Sequence, residues 1–284
     1  FAGGGSNLTV AGTKALAESG VNNLSIDGRI NLSLLNVFPQ IASGDTFFGG
    51  FADVSIRLAG PNSAARLSGT ATLDNASFAT FVGSDRLMFE RLQGIIRFAS
   101  NQVQVDRVSG FLGGGEFVAS GGAVLGSDLR PDSFRFDLTG NNITVPLPED
   151  FITTGDAKLE ISGRRFAGGG LSTLIAGRIL AKRSVYTKDI DLASIISGRG
   201  DTSLSSGGTS SFQAPRFDLV IEGRDALIVR NNIADLTASI SLRLAGTTEE
   251  PQISGRITAN SGTVFFRNDR YVVQRGVVEF PPNT

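Results

Sequence analysis

Apolar and polar residues alternate with a period of two through most of this chain, and this limits what it can fold into. In RLSGTATL, Leu67, Ala71 and Leu73 share one face and the polar side chains share the other. The segments SFRFDLT, LTASISLRL, DAKLEIS and FDLVIE repeat the pattern. Such alternation is typical of antiparallel strands with one dry and one wet face. We therefore predict an all-β protein.

Helical patterns are scarce. The best candidate helix is DIDLASIISG (Asp189–Gly198), and Lys14–Gly20 is a shorter and weaker one. The Gly/Ser/Thr-rich run that follows the first candidate predicts a mobile loop, so we expect an excursion over about residues 189–213. We predict that residues 1–284 otherwise form one continuous, repetitive β unit.

Two internal repeats support this organisation. RLAGPNSAARLSGTATLDNASF (Arg57–Phe78) aligns without a gap with RLAGTTEEPQISGRITANSGTV (Arg243–Val264), and both copies predict a strand, a turn at Gly60 or Gly246, and a second strand. Phe1–Gly12 aligns likewise with Phe166–Gly177. Repeats of this length cannot bury their apolar faces alone, so stacked neighbours must share one continuous face. If all strands form one sheet, some 16–20 of them at about 4.8 Å spacing would extend over roughly 75–95 Å.

Triple glycines occur in FAGGG at Phe1–Gly5 and Phe166–Gly170, and in FLGGG at Phe111–Gly115. A phosphate-binding loop would need Gly-Lys-Ser/Thr or a complete G-x-G-x-x-G before a helix, and none of the three copies supplies either. Each copy is followed by strand-like alternation. We therefore predict that these glycines form turns or bulges with positive φ.

Composition excludes several function classes. The chain has no Cys and no His, which removes Cys nucleophiles, Ser-His-Asp triads and the usual zinc and haem ligands. Its 26 basic and 27 acidic residues do not produce the basic face of a nucleic-acid binder. The longest uncharged stretch, Ile30–Gly44, is too short to span a bilayer. We expect no enzyme activity, no catalytic residue, no metal and no cofactor.

The apolar side chains of so many strands need a cover. At about 1.5–3 kcal/mol for each large side chain, leaving them all in water would be incompatible with folding. With few helices available, the cover is either another sheet face or an apolar ligand. Sheets often pack on sheets, whereas repeat proteins form extended binding surfaces, so both possibilities stay open.

GRITANSGTVFFRNDRYVVQRGVVEFPPN (Gly255–Asn283) resembles the C-terminal module of the TamB family. The resemblance rests on a Gly-x-φ-x-φ strand, a Gly turn, an aromatic strand and a closing R-G-φ-φ-x-F strand, where φ is an apolar residue. Upstream, RLAG…RLSGTATL, LQGIIRFASNQVQVDRVSGFLGGGEFVASGG, DAKLEISG and GRILAKRSVYTKDIDLASII follow the family's order. The resemblance covers nearly the full length, but the chain stops before the family's last strands.

The resemblance implies a fold and a role. TamB-like proteins are AsmA-like bridge proteins, anchored in the inner membrane and crossing the periplasm of Gram-negative-type bacteria. Their mostly antiparallel sheet curls into an elongated, taco-like groove with an apolar interior. The implied function is conduction of phospholipids between inner and outer membranes, through contacts with their acyl chains. An alternative is assembly or secretion of outer-membrane β-barrel proteins and autotransporters with a TamA-like, Omp85-type barrel partner. Any membrane anchor is expected in segments outside this sequence.

By matching positions, we predict that one set of residues lines the apolar groove and makes non-specific apolar contacts. The set is Leu67, Ala71, Leu73, Phe134, Phe136, Leu159, Ile161, Ile175, Ile179, Leu219, Ile221, Ile240, Leu242, Ile253 and Ile257.

A third interpretation of the sequence is an extracellular β-helix, either an adhesin or a polysaccharide-active enzyme. Its rungs would recur every 20–25 residues or so, whereas the repeat partners here lie 165 and 186 residues apart.

Overall fold

The fold is one twisted sheet of sixteen strands with very little helix, seen in a computed structural model. The structure describes residues 2–3, 5–16, 20–37, 46–82, 85–146, 150–166, 170–190, 215–247, 250–266 and 269–282. The all-β, mostly antiparallel architecture predicted from the alternating sequence is confirmed.

The strands follow one another in the sheet in the order of the sequence. They are β1 (Ala2–Gly3), β2 (Ser6–Thr13), β3 (Val21–Asn31), β4 (Thr46–Pro61), β5 (Arg66–Val82), β6 (Asp85–Ser100), β7 (Gln102–Leu112), β8 (Gly115–Leu125), β9 (Pro131–Val145), β10 (Phe151–Arg165), β11 (Leu171–Tyr186), β12 (Arg216–Arg230), β13 (Ala234–Thr247), β14 (Pro251–Phe266), β15 (Asp269–Val273) and β16 (Gly276–Phe280). Short 3₁₀ helices cover Leu32–Val37 and Asn62–Ala64.

Two features depart from a simple meander. β11 and β12 pair in parallel, from Leu174 opposite Arg216 to Tyr186 opposite Val229, whereas all other neighbours are antiparallel. β15 and β16 both pair with β14, one after the other, so together they form a single interrupted edge strand. The sheet therefore has fifteen positions, which at about 4.8 Å spacing extend over roughly 67 Å, slightly less than predicted.

The first repeat predicted from the sequence is also a repeat in the structure. Both copies cross an antiparallel strand pair, β4–β5 in one and β13–β14 in the other. Gly60 and Gly246, at the start of the two turns, have φ of +93° and +83°. Inside the following strands, Gly69 and Gly255 have φ of +123° and +119°. The two copies thus share their backbone irregularities, which only glycine adopts without strain.

The triple-glycine prediction is confirmed for Gly5, Gly113 and Gly114, whereas Gly3 and Gly115 lie in strands. Gly113 and Gly114 form the two-residue turn between β7 and β8, with φ of +56° and +86°. Positive φ at both central positions is the requirement of a type I′ hairpin turn. Gly5 lies in a turn with φ of +81°. Across the third copy, Phe166 N–H donates to the Gly170 carbonyl at 3.1 Å, and the three residues between them lie outside the described ranges.

The helix predictions fare differently. The candidate at Lys14–Gly20 is wrong for its first three residues, Lys14–Leu16, which are not helical. The other candidate helix, Asp189–Gly198, and the loop predicted after it are described only at Asp189 and Ile190. Both residues are non-helical, and the remainder lies outside the described residues. The sequence LSIDGRINLSL (Leu24–Leu34) also alternates and so predicts a strand over its full length, but β3 ends at Asn31 and a 3₁₀ helix follows.

Candidate functional site: an apolar face on an open sheet

Rows of directly opposed residues on neighbouring strands cross the sheet without a single charged side chain. One row, from β2 to β14, is Leu8, Gly28, Val54, Ala71, Ile96, Val105, Gly121, Phe136, Ile161, Ile175, Phe217, Gly246 and Pro251. The next row is Ile30, Ala52, Leu73, Gly94, Val108, Ala119, Leu138, Leu159, Gly177, Leu219, Leu244 and Ile253. We call the side of the sheet that carries these rows the apolar face.

The opposite side, the polar face, carries ion pairs between strands. Arg135 pairs with Glu160 at 2.5 Å, Arg243 with Asp218 at 2.8 Å, and Arg256 with Glu279 at 2.6 Å. Exposed pairs of this kind contribute little stability individually. Together they keep this face hydrated, so the two faces differ in chemistry across most of the sheet. Apolar exceptions on the polar face include Ile95, Leu174, Leu180 and Ile152, which are substantially exposed.

All fifteen residues predicted from the sequence lie on the apolar face, as the pairing register shows. Two of them, Ala71 and Leu219, are buried, and Ile253 is 47% exposed. The other twelve are half-buried. The apolar face is therefore packed laterally, between neighbours on adjacent strands, and left partly open above. Whether these side chains contact a ligand stays a prediction.

A row of phenylalanines on the same face was not among the predicted residues. Phe48, Phe78, Phe89 and Phe117 follow one another across β4, β5, β6 and β8, with ring centroids 5.5, 5.8 and 5.4 Å apart. They lie near the strand ends that carry the Gly113–Gly114 turn, an edge that we call the aromatic rim. Contacts of this geometry add stability beyond area burial. The high number of phenylalanines in the sequence, 20, indicated that aromatic contacts would form. Which phenylalanines come together, however, depends on the register of the strands.

One part of the apolar face is covered by the protein itself. Leu112, Phe117, Ile143 and Ala157 form a cluster in which each is at most 9% exposed. Half-buried side chains of the neighbouring strands, including Leu138 and Leu159, pack against it. This cluster is the nearest equivalent of a globular core, and it sits beside the aromatic rim on β7 to β10.

Two carboxylates that could in principle serve acid–base chemistry, Asp106 and Asp156, form ion pairs on the polar face. Asp106 pairs with Arg97, and Asp156 pairs with Lys182 at 2.5 Å. Donation from Lys182, with a further hydrogen bond from the Asn142 N–H, holds the pKa of Asp156 below its ordinary value. No group of three or more carboxylates within the described ranges is arranged to hold a metal ion. The described helices are also too short to cross a membrane.

Comparison with known proteins adds the deciding observation. The family profile of the TamB C-terminal domain matches residues 106–282, well over half of the chain. The chain belongs to the TamB family. Neither curated proteins nor solved structures gave a match. The matched part begins within β7, and β1 to β6 continue the same sheet, so the sheet extends beyond the matched residues.

Membership of the TamB family indicates the function at a general level. TamB-family proteins are non-enzymatic modules of outer-membrane assembly or lipid transport, and the family is associated with TamA-type partners. They are generally anchored in the inner membrane and span the periplasm.

Proposed function

We propose that this chain is a passive conduit for phospholipids, in which acyl chains lie on the apolar face while head groups remain hydrated. The observation that carries the proposal is the pair of uncharged rows crossing twelve and thirteen strands, combined with the half-buried state of their large side chains. Each acyl methylene group that leaves water on such a surface contributes about 0.8 kcal/mol. No binding pocket of defined shape is required, which suits a ligand that must move.

Continuity of the face supports transport rather than storage. A directly opposed apolar partner occurs at every step from Leu8 on β2 to Pro251 on β14, including the parallel step at Ile175 and Phe217. A chain moving across strands therefore meets no charged side chain on the way. We infer that the chain acts as one continuous periplasmic unit between the two membranes.

The proposal is tested by phospholipid extraction from the purified chain, followed by mass spectrometry. Leu67→Arg and Ile253→Arg place a charge on the apolar face, and we expect each to reduce bound phospholipid several-fold. Ser68→Arg and Gln252→Arg are matched controls, because they place the same charge one residue away on the polar face. Loss of phospholipid from all four variants, or from none, would contradict the proposal.

A second candidate function has separate support in the last two strands. β15 and β16 form the open edge of the sheet, and they expose apolar side chains on both of its faces. Val272 is 76% exposed on the polar face, while Tyr271 and Val278 are 53% and 54% exposed on the apolar face. An unpaired edge of this composition can pair with an added strand. This supports a scaffold for outer-membrane β-barrel proteins and autotransporters, acting with a TamA-like partner.

Site-specific crosslinking separates the two functions. A photoreactive residue in place of Val272 would capture client or partner protein if the edge acts as a scaffold. The same residue in place of Ile257, on the apolar face of β14, would capture phospholipid if the face acts as a conduit. Protein adducts at the first position without lipid at the second would favour the scaffold.

A further inference from the structure

Strand bulges form a band across the second half of the sheet. Between β9 and β10, the residues from Gly140 to Ile143 oppose the shorter stretch from Gly155 to Ala157. The extra residues elsewhere are Lys182 on β11, Arg224 and Asp225 on β12, and Asn260 on β14. A bulge bends its strand and increases the local twist. Aligned bulges on neighbouring strands therefore bend the sheet along a line, which we call the crease.

On the polar face, two clusters of side chains bridge the crease. In the first, Asn142 N–H donates to Asp156 Oδ1 at 2.9 Å, and Lys182 Nζ donates to Asn142 Oδ1 at 2.6 Å and to Asp156 Oδ1 at 2.5 Å. Asn142 has φ of +52°, a conformation that Asn tolerates better than most residues. The bulged residue on β9 is thus tied to β10 and β11.

The second cluster repeats this arrangement three strands later. Asp225 has φ of +50°, and its N–H donates to Ser239 Oγ at 3.0 Å. Asn260 Nδ2 donates to Asp225 Oδ1 at 2.5 Å and to Ser239 Oγ at 2.7 Å. Bulged residues on β12 and β14 are therefore joined through the strand between them.

On the apolar face, the crease is lined by residues with little or no side chain. Ala181, Ala226 and Ala238 are 4%, 0% and 3% exposed. A Cβ added to Gly155 would lie 2.5 Å from the Leu180 carbonyl oxygen, and one added to Gly223 would lie 2.7 Å from the Ala226 Cβ. Larger side chains would not fit at these positions, because atoms of the neighbouring strands approach closely.

We propose that the two polar clusters are positioning groups, which hold the bend between the two arms of each strand and thereby set how wide the apolar face opens. The first cluster, Asn142–Asp156–Lys182, acts on β9 to β11, and the second, Asp225–Ser239–Asn260, acts on β12 to β14. Side chains on the polar face thus control the shape of the apolar face. The inference rests on the proposed lipid function only for its expected effect on lipid binding, because the bend itself can be measured without lipid.

The test is a distance measurement between two spin labels, one near the start of β11 and one directly after its end. The chain has no Cys, so Ser172→Cys and Thr187→Cys introduce two unique sites, both exposed, on either side of Lys182. At about 3.3 Å per residue the arms measure roughly 33 and 16 Å, so opening the bend between them lengthens the label distance. We expect Lys182→Met and Asp156→Asn to lengthen and broaden the distance distribution.

Two further variants keep the test specific. Glu160→Gln breaks an ion pair on the same strands but away from the bulges, so it should leave the distance unchanged. Lys182→Arg retains the charge and donors and should restore the distance of the parent. An unchanged distance in Lys182→Met and Asp156→Asn, or an equal shift in Glu160→Gln, would overturn the inference.

Phospholipid extraction from the same variants separates this inference from the proposed function. A shifted distance with reduced phospholipid supports both. If the parent chain binds no phospholipid while the label distance still shifts in the variants, the proposed function is refuted and the inference about the crease is supported. If the parent binds phospholipid but the distance does not respond, the crease inference fails alone.

Discussion

Replacing Gly69 by alanine should be among the most destabilising single-methyl additions in this chain. Gly69 lies inside β5 with φ of +123°, and an added Cβ would lie 1.9 Å from the Ser55 carbonyl oxygen on β4. A non-glycine residue in such a conformation costs about 1–3 kcal/mol. Relieving the contact requires the strands to separate locally, which costs about 0.5–1.5 kcal/mol for a weakened ladder hydrogen bond. We expect a total loss of roughly 2–4 kcal/mol.

Gly114 provides the matched control. It also has positive φ, at +86°, but an added Cβ would meet no atom within 4 Å. Gly114→Ala should therefore cost only about 1 kcal/mol, from the left-handed conformation alone. Urea unfolding followed by far-ultraviolet circular dichroism measures both variants. Equal losses for Gly69→Ala and Gly114→Ala would refute the close backbone approach that we infer at Gly69.

The repeat extends this prediction to a second site. Gly255 occupies the equivalent position on β14, with φ of +119° and an added Cβ 2.3 Å from the Ser241 carbonyl oxygen. Gly255→Ala should thus cause a loss similar to that of Gly69→Ala. A loss no larger than that of Gly114→Ala would show that the two repeats are alike in sequence but not in backbone strain.

Two other perturbations have expected outcomes. Phe117→Ala removes the largest buried side chain of the cluster beside the aromatic rim and should cost about 3–5 kcal/mol in urea unfolding, whereas Met88→Ala, 40% exposed, should cost far less. The pKa of Asp156 lies below its ordinary value through the Lys182 hydrogen bond, and that of Asp128 through the Arg165 hydrogen bond. Because these pKa values are lowered by folding, the stabilisation is complete above the unfolded pKa of about 4 and is lost as pH falls through the folded values. Acid titrations of Asp156→Asn and Asp128→Asn should therefore show a weaker loss of stability below pH 4 than the parent, and an unchanged profile would contradict the assignment.

Strand identity and face were predictable from the sequence because both depend on local alternation. Leu67, Ala71 and Leu73 share a face whatever their strand pairs with, since successive side chains in a strand point to opposite sides. The fifteen predicted residues therefore fall on one face without any knowledge of the register. Turns at Gly60 and Gly246 were likewise predictable, because the two repeats place these glycines at the same point between strands.

Features that depend on pairing were not predictable. The parallel step between β11 and β12 follows a connection whose sequence does not specify direction, and the register at Ile175 and Phe217 is set by the neighbouring strands. The bulges at Asn142 and Asp225 occupy polar positions that look like ordinary alternation until the partner strand is known. The phenylalanine row has the same origin, because Phe48 and Phe117 are far apart in sequence and align only through the four strand pairings that link β4 to β8.

The most direct test of the central claim is photocrosslinking at two adjacent positions of β10 in the full-length protein in its own membranes. Ile161 lies on the apolar face and Ser162 on the polar face, so a photoreactive residue in place of each samples the two environments one residue apart. Mass spectrometry of the crosslinked protein should show phospholipid adducts at position 161 and none at position 162. Absence of lipid at position 161, or equal lipid capture at both positions, would contradict the account of the apolar face as a lipid conduit.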